Sequence, residues 1–356
     1  MKKKVTFAII IGFVSLIAGL ILAGIGFFTG GVTRLEEVAA PTEVHKTFTD
    51  LNTIKIDFIP HSVYIKESSD SNYHVTYANS DNNIQNPLKV SEKDGVLTLS
   101  SQELEFAIEG IMQYLGESLA QRRINVFSVT IEVPKGKTLD KLEGHNLHFY
   151  DFGGFTIENI HIKEANLSGG IYFNKATIDS GQIEAGYFQA TQATLKDTQI
   201  NLQGSSVRLS ETSLEAVTIE GYSQLDSRQL TLLGDNRFTP SDSYSSTTFL
   251  DLTDKTLADS NLLITNQIDK KKLVESLGYY YEDEYEDEAD LEELFNQDSY
   301  LKERLGEVGI FTSDKYTKFP VKTENDLQTL TLENKDSQNK LTLEATNATI
   351  TLGTPK

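Results

Sequence analysis

The 356-residue sequence predicts an all-β fold: a β-solenoid of about 18 residues per coil with two helical insertions, behind one N-terminal transmembrane helix. Three observations carry this reading. An uncharged apolar segment, Val5 to Gly31, follows Lys2, Lys3 and Lys4. From Leu142 onward, apolar residues return in ones and twos at a near-constant interval, with Gly, Ser, Thr, Asn and Gln between them. Beyond the first segment, helical character is confined to 102–121 and 269–310.

The N-terminal segment comes first. A membrane span needs roughly 20 apolar residues, so 5–31 is long enough with some tilt. A cleavable signal would have a shorter apolar core and a small-residue cleavage site directly behind it; the nearest, Val38-Ala39-Ala40-Pro41, lies well downstream. A retained single-pass anchor in the cell membrane is therefore expected. The three lysines keep residues 1–4 in the cytoplasm and leave everything after Gly31 extracellular. The lipid bilayer is then the first partner.

Within the span, Gly12, Ser15, Gly19, Ala23 and Gly26 recur at steps of three or four and form one seam of small residues. Such a seam lets a second membrane helix approach closely, either that of a partner protein or that of another copy of this chain. The blander reading is that Gly and Ala are common in such helices; Ala18 and Gly24, off the seam, favour it.

Residues 32–48 read as a polar stalk and 49–135 as an N-terminal β region. In the latter, Ile54, Ile56 and Phe58, then Val63 and Ile65, then Val75 and Tyr77 alternate as strand residues do. Asp94-Gly95 sits between two alternating runs as a hairpin turn. The insertion at 102–121 places Leu104, Ile108, Ile111, Met112, Leu115 and Leu119 on one helical face, expected to pack on the sheet.

The solenoid itself is expected over 136–268. Three apolar columns run in step: Leu142, Ile160, Ile178, Leu195, Leu214, Leu232, Leu250 and Ile268; Phe149, Leu167, Ala185, Leu202 and Ile219; and Phe155, Phe173, Ala190, Val207 and Leu225. They describe three short strands per coil, each pointing one or two residues inward, with coils stacked about 4.8 Å apart. Residues 269–310 form the acidic insertion, with nine carboxylates from Glu282 to Glu293 and with Leu291, Leu294, Phe295, Leu301 and Leu305 suggesting a helix pair. The cluster lacks the spacing and the glycine of a calcium-binding loop, and reads as a solvated face. Residues 311–356 return to alternating strands, expected to close the open end of the solenoid.

The order of anchor, "IKIDFIPHSVYIKESSDSNYHVTY", "GVLTL", "IEVP" and repeats resembles the LiaG-like or YvlB-like adhesin-type proteins of Gram-positive bacteria, over roughly Leu51 to Ile268 and the C-terminal strands. The resemblance implies an envelope protein and supplies no catalytic residues. This chain departs from the simple pattern in its two helical insertions.

Composition and motifs narrow the function. With 52 acidic against 32 basic residues the net charge is -20, which opposes nucleic-acid binding. The absence of Cys excludes disulfides, thiolate metal sites and Cys nucleophiles, and the absence of Trp weakens a sugar-stacking lectin site. A carboxylate ladder across rungs would mark a polysaccharide enzyme. The best column is His161, Asp179, Asp197 and Glu215, but the apolar slip at Leu195 puts Lys196 in line in place of Asp197. His145 and His148 face opposite ways if in a strand, a poor metal pair. No catalytic residue, cofactor or metal is expected. The expectation is a non-enzymatic, membrane-anchored envelope protein, an accessory or sensory module acting through a membrane or cell-wall partner. A surface adhesin and an envelope polysaccharide enzyme are the alternatives.

Overall fold

The computed structural model describes residues 2–31, 33–34, 41–79, 87–101, 127–146, 154–241, 246–276 and 288–353. The helix expected at 102–121, Phe149, His148 and residues 277–287 of the acidic stretch lie outside the described residues. An apolar helix, Lys2–Phe28, opens the chain, and the remainder is predominantly β.

The strands wind around three faces. On the first, residues 141–145 pair in parallel with 164–168, then come 181–185, 199–201, 218–220 and 237–239. On the second, 155–158 are followed by 171–174, 188–191, 207–210, 224–227 and 247–250. The third is narrow: Leu139, Ile162, Ile178, Leu195, Leu214 and Leu232 stack one above another. Alternate residues turn inward along each strand, so one continuous core runs from Leu51 to Leu352. Parallel pairing satisfies the backbone of each coil only when a second coil lies against it, so no coil stands alone.

Both ends are interleaved. Thr53–Ile59 and Ser62–Glu67 lie between the coil at 138–158 and an outer coil made by Val96–Ser101 and Ser128–Val133. The parallel stack therefore begins well before residue 136. At the other end, Lys340–Thr346 and Thr349–Leu352 pair with Asp235–Pro240 and Thr247–Leu252 on one side, and with Asn261–Gln267 and Gly309–Thr312 on the other. The last strands, expected to close the end, thus sit one rung inside it. Closure comes from two antiparallel strands, Leu327–Leu332 on Asn261–Gln267 and Val321–Glu324 beyond it. The hairpin at Asp94-Gly95 forms as read, with both residues at positive φ between Leu88–Lys93 and Val96–Ser101.

Corners explain how the chain turns. Asn159, Lys175, Gln192, Glu211 and Gln229, one per coil, have φ between 51° and 56°. Left-handed backbone turns the chain in a single residue, at a cost for side chains with a Cβ. Each corner amide repays part of that cost by binding the next coil: Lys175 N–H donates to the Thr191 carbonyl at 2.9 Å and Gln192 N–H to that of Ser210 at 2.8 Å.

The predicted columns need correction in register. Nearly all their described members are buried, but true stacking joins Leu139 and Ile162 to Ile178, whereas Leu142 stacks on Ala165 and Leu250 on Ser227. Leu167 stacks on Ile183 and Phe155 on Ile171, whereas Ala185 on Leu202, Phe173 on Ala190 and Val207 on Leu225 stack as predicted. Ile268 is only half-buried and lies past the end of its strand. The reason is that coil length varies. From Ile162 to Ile178 is 16 residues, to Leu195 a further 17, to Leu214 a further 19 and to Leu232 a further 18.

The helices of the second insertion, Lys270–Ser276, Glu288–Gln297 and Ser299–Glu307, build a small core of their own from Leu273, Val274, Phe295 and Leu301. Asp298 caps the last by accepting from the Tyr300 and Leu301 amides at 2.8 and 3.2 Å.

Candidate functional site

Outward positions of the coils carry the chemistry. On the third face His161 lies between Thr138, whose Oγ1 is 3.1 Å from Nδ1, and Asp179, whose Oδ2 is 2.7 Å from Nε2. The next coil places Lys196 beside Glu215 at 3.9 Å, with Lys196 and Glu215 in register. Asp197 does not join them: it is a corner residue at φ 39°. In this column each carboxylate thus meets a basic side chain, Asp179 an imidazole and Glu215 an ammonium, as expected where like charges one rung apart would repel.

The first face has the same character. Lys141 pairs with Glu164 at 3.1 Å and with Glu143 at 3.5 Å. The hydrogen bond from Lys141 holds the Glu164 carboxyl below its ordinary range, and the bond to Glu164 raises the lysine. Lys163 reaches Asp140 at 2.7 Å, which raises it likewise. His145 stacks on the exposed ring of Phe58 at 5.1 Å. Among the described residues no three His, Asp or Glu side chains converge as metal ligands would.

The second face differs. Its outward column runs Tyr64, Thr156, Tyr172, Gln189, Arg208, Asp226, Phe249 and Thr351. Two clefts lie along it. One, of about 390 Å³, is walled by Gln189, Thr191, Arg208, Ser210, Asp226 and Arg228. The other, of about 580 Å³, continues past Asp226 and Arg228 to Gln224, Gln229, Thr247, Phe249 and Asp251. Both fall in the size range of ligand pockets. Tyr172 and Tyr187 lie 5.2 Å apart, and the Arg208 guanidinium sits 6.0 Å from the Tyr187 ring centre. Burial pushes the Tyr172 hydroxyl above its ordinary range; Tyr187 adds to this and Arg208 opposes it. Among the described residues Arg208 has no carboxylate partner, and the Arg228 guanidinium has Asp226 alone, at 3.6 Å. Sequence reading missed this face. Its signal was present in the residues that directly precede Phe173, Ala190 and Leu209 in chain order: Tyr172, Gln189 and Arg208.

The seam residues Gly12, Ser15, Gly19, Ala23 and Gly26 lie on Lys2–Phe28, on one side at 3.6 residues per turn. Apart from the helix's own backbone, none of the described atoms lies within 4 Å of a Cβ built at Gly12, Gly19 or Gly26. The span Val5–Phe28, 24 residues with a mean hydropathy of 2.7, is not buried against any of the described residues.

The Toastrack DUF4097 family model matches residues 51–234. No curated protein matches the chain. Among solved structures, it is similar to a candidate cell-adhesion protein from Clostridium sporogenes, at 9% identity over 88% of this chain and 98% of that one, with a TM-score of 0.21. It is also similar to a candidate adhesin from Bacteroides fragilis, at 14% identity over 60% of this chain and 95% of that one, with a TM-score of 0.25.

Proposed function

The chain belongs to the Toastrack DUF4097 family, and on that premise we propose that it is a membrane-anchored extracytoplasmic interaction protein of the cell envelope, with no reaction of its own. Within the family we place it with the LiaG-like or YvlB-like proteins, and we read its stacked coils as a β-solenoid. Consecutive parallel coils over one continuous core support that reading.

The observation that carries the proposal is the first helix. None of the apolar window in Val5–Phe28 is buried. Large side chains such as Phe7, Ile9, Phe13 and Leu20 are more than half exposed, which in water forfeits about 1.5–3 kcal/mol for each. A bilayer removes that cost, and 24 residues at about 1.5 Å each exceed its roughly 30 Å apolar thickness. The three preceding lysines favour a cytoplasmic N-terminus and an external β domain.

A reporter fused after Phe48 is expected to be active only outside the membrane, with the protein resisting carbonate extraction. A reporter active in the cytoplasm, or a mature N-terminus near Pro41, overturns this topology.

Lateral contact is proposed through Gly12, Ser15, Gly19, Ala23 and Gly26, where small side chains allow a second helix close approach. Replacing Gly19 and Ala23 by Leu is expected to leave insertion intact and abolish crosslinking to the neighbouring helix. Replacing Leu20 and Ile21, off the seam, by Phe is expected to change neither. Equal crosslinking in both variants reduces the helix to an anchor.

A further inference from the structure

We infer that the second face binds an acidic glycan chain laid along the stack of coils, its sugars over Tyr172 and Tyr187 and its carboxylates at Arg208 and Arg228. The inference rests on the reading of this chain as an extracytoplasmic interaction protein, and names the ligand of its exposed face.

Three features select the ligand. The first is linearity. Gln189, Arg208 and Asp226 occupy one column on successive coils, so polar groups repeat about every 4.8 Å along the axis. That step is comparable to the length of one pyranose residue, and the two clefts lie end to end with Asp226 and Arg228 shared between them. A linear polymer meets the same geometry at each unit, whereas a compact ligand would occupy only one cleft.

The second feature is the mixture of groups. Planar amide, guanidinium and carboxylate side chains at Gln189, Arg208 and Asp226 each offer paired hydrogen-bonding atoms, suited to neighbouring hydroxyls on a sugar ring. Aromatic surface flanks them, with Tyr172 and Tyr187 on one side and Phe249 on the other. Trp, the largest stacking side chain, is absent; the tyrosines supply the flat apolar surface instead.

Charge is the third. Lysines on the other two faces are matched with carboxylates. Here Arg208 has no carboxylate partner among the described residues, and Arg228, with 72% of its side chain exposed, has a loose one. Of the two carboxylates that line the clefts, Asp251 is taken up by Lys315 at 3.4 Å, so Arg208 and Arg228 against Asp226 favour an anionic ligand locally, inside a protein whose net charge is -20. A densely charged polymer would be repelled at long range and by Asp226 at close range. Carboxylates separated by neutral sugar surface satisfy both constraints.

Titration calorimetry on the detergent-solubilised full chain tests this, with hexagalacturonate and a hyaluronan decasaccharide as acidic probes, cellohexaose as the neutral probe and polyphosphate as the dense anion. At least one acidic glycan is expected to bind more tightly than cellohexaose and polyphosphate. Arg208→Gln and Arg228→Gln are each expected to weaken it about tenfold or more, as loss of a charge-assisted contact does, without moving the thermal midpoint. Equal binding of cellohexaose, tighter binding of polyphosphate, no binding of either acidic glycan, or unchanged affinity in both variants overturns the inference. An external reporter after Phe48 together with silent calorimetry would reject the glycan and leave the interaction-protein reading standing. Glycan binding with a cytoplasmic reporter would reject the topology instead.

Discussion

Replacing Ile178 with Asp is expected to unfold the β domain. Ile178 is fully buried and stacks between Ile162 and Leu195 on the narrowest face, where only Thr177–Ile178 forms the strand. Among the described residues no buried Lys or Arg lies in the core, so the carboxylate is either buried unpaired or the coil opens. Burial of an unpaired charge costs several kcal/mol, a large part of the ~5–15 kcal/mol that holds a domain together. Because each coil is hydrogen-bonded to its neighbours, opening one exposes the next. The control is Lys175→Asp, at an exposed left-handed corner that Asp tolerates, with an expected change of no more than about 0.5 kcal/mol. Urea titration followed by circular dichroism measures both. Equal damage from the two substitutions would refute the stacking register.

That pair of residues also shows what was legible in the sequence. Inward and outward positions could be told apart, because one-in-two alternation and the polar corners between strands are local properties. Ile178 was assigned to the core on that basis, and it is fully buried. Neighbours across coils were assigned only in part from a near-constant interval: Ile178, Leu195, Leu214 and Leu232 stack as read, while Leu142 and Leu250 do not join them. Corners absorb a varying number of residues, so successive steps of 16, 17, 19 and 18 residues in the Ile162 column average close to 18 while shifting individual partners by two. The single slip that was recognised, at Leu195, placed Lys196 in line with Glu215, as the register has it.

Interleaving at the ends left no periodic trace. Nothing local in Leu341 or Leu343 indicates that their strand lies between Asp235–Pro240 and Asn261–Gln267. Such an arrangement is fixed by which chain segments return over long loops, and propensity does not encode that. The candidate face was hidden for a related reason. Arg208 and Asp226 are 18 residues apart and look like ordinary surface charges until the register aligns them beneath Gln189 and Tyr172. Binding surfaces on stacked coils arise between rungs, whereas sequence patterns report mainly what happens within one.

Gly181→Ala is the second substitution with a large expected effect, and it acts through that same inter-rung contact. Gly181 pairs with Ala165 on one side and Thr198 on the other. Its φ lies outside the left-handed region, so conformational freedom is not the reason for glycine here. Close approach is: a Cβ would lie 2.0 Å from the Ala165 carbonyl oxygen and 2.9 Å from its carbon. Those are backbone atoms, held by the coil below, and no side-chain rotation relieves the clash. The methyl must push two coils apart, weakening the ladder from Gly181 to Ala185 against residues 165–169 on the first face. Overpacking of this kind costs typically 1–3 kcal/mol where neighbours can yield. Here they are backbone, so the upper end, about 3 kcal/mol, is expected, with a fall in the urea midpoint and faster amide exchange centred on 165–169 and 181–185. Gly136→Ala serves as the comparison: its positive φ strains a side chain, but nothing lies within 4 Å of its Cβ, so the loss should be limited to about 1 kcal/mol. If Gly181→Ala were as mild as Gly136→Ala, the two coils would not be in the close contact that the stacked register requires.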